Sequence, residues 1–114
     1  MKHKESYFRV LAESENGYIG ECECCREFNF AFKTVLLTFQ EEELHQFFAW
    51  LISSRHSLEY YMPLHHGRNR VFASPHSNLF LTYSEEELDE ITHLYNETVI
   101  LLEAQKVLLS NRMN

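Results

Sequence analysis

Residues 36–44, Leu-Leu-Thr-Phe-Gln-Glu-Glu-Glu-Leu, and residues 80–88, Phe-Leu-Thr-Tyr-Ser-Glu-Glu-Glu-Leu, agree at six of nine positions and stand 44 positions apart. Carried backwards without gaps, the same offset pairs Arg26 with Arg70 and Phe28 with Phe72, so the stretch reads as an internal repeat. In each copy a short β-prone run leads straight into a helix start. In the second copy Ser84 fits the N-cap, Glu87 completes a capping box, and Tyr83 with Leu88 forms a hydrophobic staple. Phe39 and Leu44 repeat that staple in the first copy, where Gln40 is the weaker cap. The Glu triplets at 41–43 and 85–87 suit the positive end of a helix dipole.

Working outward, Leu44, Phe47, Phe48, Leu51 and Ile52 keep helical spacing, which predicts a helix of about 15 residues ending near 53–56. The second helix, 85–110, has no Pro or Gly and would be about 40 Å long. Leu88, Tyr95, Leu102 and Leu109 recur along it beside Leu94, Leu101 and Leu108, a wide apolar face that predicts a homodimer through this helix. Upstream, residues 7–13 and 18–23 flank Asn16-Gly17, a favoured two-residue hairpin turn. Residues 26–31 alternate, with Phe28, Phe30 and Phe32 on one face, and turn near Lys33-Thr34; residues 70–74 turn at 75–78. The expected architecture is α+β within one domain, 1–114: a hairpin (6–23), then strand-strand-helix twice (26–55 and 70–110). About six antiparallel strands would form one sheet with both helices on one face.

The chain of 114 residues has 17 acids and 10 bases, a formal charge of -7, which argues against a general grip on nucleic acid or an anionic membrane. Six of those acids are the two Glu triplets, and without them eleven acids face ten bases. The longest apolar run, 47–52, is six residues, against roughly 20 for a membrane span. The first ten residues carry no apolar h-region, and three cysteines within four positions suit reduced thiols, so a cytoplasmic protein is expected. Gly-rich phosphate loops, a nucleophile elbow and H-E-x-x-H are missing from the sequence, which points away from the common enzyme classes.

Cys22-Glu23-Cys24-Cys25 is the one cluster of reactive side chains. Cys22 and Cys25 have the C-x-x-C spacing that lets two thiolates chelate Zn²⁺, and a structural site needs four ligands. Cys24, His65, His66, His76 or a second subunit would supply the others. The same spacing suits a dithiol-disulfide pair, although here a hairpin leads to a strand rather than a strand to a helix. Residues 56–77 hold His56, His65, His66, His76, Arg68, Arg70, Tyr60 and Tyr61 with Glu59 as the only acid, which suits an anionic ligand bound by His65, His66, Arg68, Arg70 and His76.

Cys22-x-x-Cys25, the Phe28-x-Phe30-x-Phe32 strand, Val35-Leu36-Leu37-Thr38 and the following Glu-Glu-Glu-Leu resemble a family of small uncharacterised bacterial proteins. These carry a C-x-x-C and two strand-to-helix copies. The resemblance covers residues 18–109 and implies Cys22 and Cys25 as the shared pair, with no activity attached. Lys33 stands where a turn glycine would be expected, and Cys24 is additional. The residues point to a non-catalytic binding or adaptor domain, with a protein partner or a second copy, whose cysteines hold a structural metal. A thiol-based redox protein and the anion binder are the alternatives.

Overall fold

The computed structural model describes residues 8–113. Its elements run β1 (Phe8–Glu13), β2 (Gly17–Cys22), β3 (Glu27–Phe32), β4 (Val35–Phe39), α1 (Glu41–Ser54), β5 (Arg70–Ala73), β6 (Phe80–Tyr83) and α2 (Glu85–Met113). Residues 6 and 7 of the expected hairpin lie outside the described residues. Strands β1 to β4 form one antiparallel meander in chain order, and β5 and β6 form a separate two-stranded sheet. The fold is thus α+β, with a correction: the six strands do not share one sheet. The second hairpin is held by side chains instead of a ladder. Phe72, fully buried, lies 5.4 Å from the Trp50 ring and 5.1 Å from that of Tyr60, and Tyr83 lies 6.1 Å from Phe32. The outer edge of β5 is met by its own connection, through the Tyr61–Arg70 bridge and the Met62 N–H bond to the Asn69 carbonyl.

Strand alternation puts Ile19, Phe28, Phe30 and Phe32 on one face of the larger sheet, and both helices cover that face. From α1 come Leu44, Phe48 and Leu51, with Phe48 4.9 Å from Phe30; from α2 come Leu88, Ile91, Leu94 and Leu102. Thr98 is buried on the same stripe of α2, its hydroxyl donating to the Leu94 carbonyl, which lets a polar residue occupy a core position. Both staple pairs, Phe39 with Leu44 and Tyr83 with Leu88, belong to this core.

Residues 44 positions apart also take matching roles. The Gln40 N–H donates to the Glu43 carboxylate at 2.8 Å and the Ser84 N–H to that of Glu87 at 2.9 Å, each at the start of its helix. Arg26 faces Glu41 at 3.9 Å, and Arg70 faces Glu85 at 2.8 Å. Glu87 carries more than its helix cap, since Lys33 and Arg68 meet its carboxylate at 2.9 and 3.0 Å. Burial works against its charge, but the Arg68 guanidinium, the Ser84 N–H and the Lys33 ammonium outweigh that and hold the carboxyl at about 2. Lys33 adopts the left-handed conformation (φ 54°), so the position where a glycine was expected does have a glycine-like backbone. From that position its ammonium pairs with Glu87, a contact a glycine could not make.

The first hairpin forms, but its turn is one residue early. The Ser14 N–H donates to the Gly17 carbonyl at 2.8 Å around Glu15-Asn16, and Gly17 begins β2. A Cβ at Gly17 would stand 2.2 Å from the Ala31 carbonyl oxygen, so the glycine serves the close approach of β2 to β3. The turn is held from above by Glu90 of α2, which accepts from the backbone and side-chain N–H groups of Asn16 at 3.0 and 2.9 Å.

Two predictions follow from this packing. Gly17→Ala forces β2 and β3 apart and should cost about 2 kcal/mol, read as a lowered midpoint in chemical denaturation. Glu87 titrates near 2 when folded and near 4.5 when unfolded, so its stabilisation is whole above pH 4.5 and is lost as pH falls towards 2. Glu87→Gln should therefore destabilise the fold by about 2 kcal/mol at pH 7 and flatten the pH dependence between 4.5 and 2.

Candidate metal centre

The β2–β3 turn contains the thiols. Cys22 and Glu27 are the last paired residues of the two strands, and the Arg26 N–H donates to the Cys22 carbonyl at 2.7 Å, closing residues 23–26 into a single helical turn. Such a closure needs a left-handed last residue, and Arg26 takes it with φ 60° although it has a side chain. Its guanidinium is anchored in return. Glu21, nearly fully buried, accepts from Arg26 at 3.1 Å and from Arg9 at 2.7 Å, and Arg9 also donates to Gln105 of α2 at 3.1 Å. The turn is thus fastened to the sheet and to α2 by charged hydrogen bonds.

Alternation sends Glu21 to the helix-covered face and Cys22 to the opposite one. The Cys22 and Cys24 sulfurs are 3.1 Å apart, and the sulfurs of Cys22, Cys24 and Cys25 all lie within 4.8 Å of one another. All three are thiols. Burial works to raise the Cys22 thiol, but hydrogen bonds from the Cys24 and Cys25 thiols and from the backbone N–H groups of both outweigh it, so its thiolate is favoured. Cys24 is pushed up to about 11, first by its hydrogen bond to Cys22 and then by burial and the neighbouring sulfurs. Cys25 is also raised, again first by its bond to Cys22. A Cys22 sulfur that gathers hydrogen bonds from two thiols and two peptide N–H groups is a chelate site loaded with protons, which a cation can displace.

The structure does not bring the histidines of the sequence reading to this turn. Among the described residues, Cys22, Cys24 and Cys25 form the one group of three or more metal-ligating side chains this close, and His65, His66 and His76 are not in it. The reason is topological. Arg68 and Lys33 both bind Glu87, which ties the 55–69 connection to the β3–β4 turn, at the other end of β3 from the thiols. His65 and His66 are the first two residues of a short 3₁₀ turn there, with ring centroids 6.3 Å apart, and His76 sits in the β5–β6 turn, its backbone N–H bonded to the Ser74 hydroxyl. The two arginines named for an anion are engaged by carboxylates: Arg68 by Glu87, and Arg70 by Glu85 and the Ser57 carbonyl, with Tyr61 under its guanidinium.

Coverage of the chain by one family model decides its kinship: a family of unknown function, DUF6686, matches residues 3–111. The chain belongs to that family. No curated protein and no solved structure matches it. In this DUF6686 chain, Arg26 and Glu21 are the residues that sequence reasoning missed. The available signal was the strand period, which puts Glu21 on the same face as Ile19 and so requires a buried partner for its charge.

The sulfur network of this DUF6686 turn makes its own prediction. Removing the Cys22 sulfur takes away the main cause of the raised Cys24 thiol, so in Cys22→Ser the Cys24 thiolate fraction at pH 8 should rise by about tenfold or more. Alkylation of Cys24 by iodoacetamide, located by peptide mass spectrometry across pH 7–11, reads that rise; an unchanged profile contradicts the network.

Proposed function

We propose that the protein is a non-catalytic binding domain that holds a metal ion through the thiolates of Cys22, Cys24 and Cys25. The convergence of three sulfurs within 4.8 Å on one turn carries this reading. Thiolate donors favour zinc, Cu(I) and iron-sulfur clusters, and the cluster ligation needs four cysteines. Binding must displace the shared thiol protons, so affinity should climb with pH through the neutral range. A cytoplasmic, reducing compartment belongs to this reading, because oxidation of neighbouring thiols would abolish the site.

The redox alternative is weaker on one particular. Thiol-disulfide exchange needs an accessible thiolate, whereas the favoured thiolate, Cys22, is buried and the exposed Cys24 and Cys25 are raised. We also read the matched contacts at offset 44 as an internal duplication. Pairing of two copies through α2 draws support from Ile100, Val107, Leu108 and Leu109, all exposed on it. Leu102, by contrast, is buried in the core.

Elemental analysis of protein purified under anaerobic conditions, with thiol titration of the same sample, tests the metal. One metal per chain with suppressed thiol reactivity is expected; three reactive thiols and no metal, before and after incubation with Zn²⁺ or Cu(I), would refute the reading. For the pairing, light scattering should give a dimer for the wild type and a monomer for Leu108→Glu; two equal masses refute it.

A further inference from the structure

Resting on the metal reading above, we infer that the Cys22–Cys24–Cys25 turn is a site for a thiophilic ion of low coordination number, of the Cu(I) class, and is not a structural zinc site. The first reason is the donor count. A structural zinc site is closed by four protein ligands, and here three sulfurs come from one turn with no imidazole or carboxylate, among the described residues, grouped with them. A soft monovalent d¹⁰ ion is satisfied by two or three thiolates, so this donor set is complete for it as it stands.

The second reason is that the fold makes no demand on the metal. The turn is closed by the Arg26 N–H bond to Cys22 and anchored by the Glu21 ion pairs, and the apolar core is assembled without any of the three cysteines. Nor would an ion there add much net stability. All three ligands fall within four consecutive positions, so an unfolded chain can gather them almost as easily as a folded one, and an ion that binds both states shifts folding little.

The third reason is access. Cys24 and Cys25 are exposed at the end of the hairpin, with the buried Cys22 beneath them, which among the described residues leaves the outer side of a bound ion open. An open position makes zinc four-coordinate only by adding water or a borrowed ligand, but leaves a trigonal sulfur site intact.

The test uses the full chain, reduced and metal-free, titrated anaerobically with Cu(I) against a bathocuproine chelator and, separately, with Zn²⁺ against a colorimetric chelator. Sulfur coordination is read by X-ray absorption and the melting temperature by circular dichroism. Expected are one Cu(I) per chain with three sulfur ligands, a loss of Cu(I) affinity of about tenfold or more in each of Cys22→Ser, Cys24→Ser and Cys25→Ser, and a melting temperature that barely moves on loading. Circular dichroism of the variants separates lost ligands from lost folding; Cys24→Ser and Cys25→Ser alter exposed residues and should keep the wild-type spectrum. Zinc held by four protein ligands, with a large rise in melting temperature, overturns the inference and leaves the metal reading standing. Cu(I) binding indifferent to all three substitutions overturns the inference. Failure of both ions to bind at one per chain overturns the inference and the metal reading together.

Discussion

Everything in this molecule is referred to β3, because its inner face must be dry. Phe28, Phe30 and Phe32 are all buried, and the strand is paired on both edges, by β2 and by β4. Burying three phenylalanines in a row requires a continuous apolar lid, which α1 supplies through Phe47 and Phe48 and the second hairpin through Tyr83 against Phe32. The two ends of β3 then acquire different characters. At one end the turn with Lys33 meets Glu87 and Arg68; at the other the turn back to β2 holds the three thiols.

Around the start of α2 the charges are paired within the fold. The Glu87 carboxylate caps the first turn of α2 and also receives Arg68 and Lys33, while that of Glu85 receives Arg55 and Arg70. Arg55, buried at the end of α1, reaches Glu85 and Asp89 at 3.1 and 2.8 Å and so joins the two helices. An ion pair of that kind contributes more to registering the elements than to net stability, since desolvation offsets much of the attraction. It also explains why the basic segment between the first helix and β5 does not present an open cationic surface: its arginines are the counter-ions of a helix start.

The thiol turn is the exception to this internal closure. Its backbone is fixed by Arg26 and Glu21 on the helix-covered side of the sheet, while Cys22 points to the side away from the helices. The chemistry is therefore held by the fold without being needed by it. The turn is closed by hydrogen bonds and ion pairs that do not involve the sulfurs as ligands, unlike the small domains whose fold depends on a bound metal.

Local rules made much of this legible in the sequence. The strand-to-helix copies, their staples, both helix starts, the first hairpin and the thiol cluster all depend on neighbours within a few positions, where spacing and capping chemistry act directly. The turn near Lys33-Thr34 was legible in the same way, and the glycine that the family resemblance implied there matches the left-handed backbone of Lys33. What only the tertiary structure decided depends on distant pairs. The second hairpin lies against the core as its own sheet because Phe72 and Tyr83 find Trp50, Tyr60 and Phe32. The histidines are kept from the cysteines because Arg68 and Lys33 share one carboxylate, and a buried Glu21 anchors the turn that bears the sulfurs. Sequence by itself determined the elements and the donors; the placement of donors relative to one another was a matter of side chains far apart in the chain competing for the same buried space and the same charges.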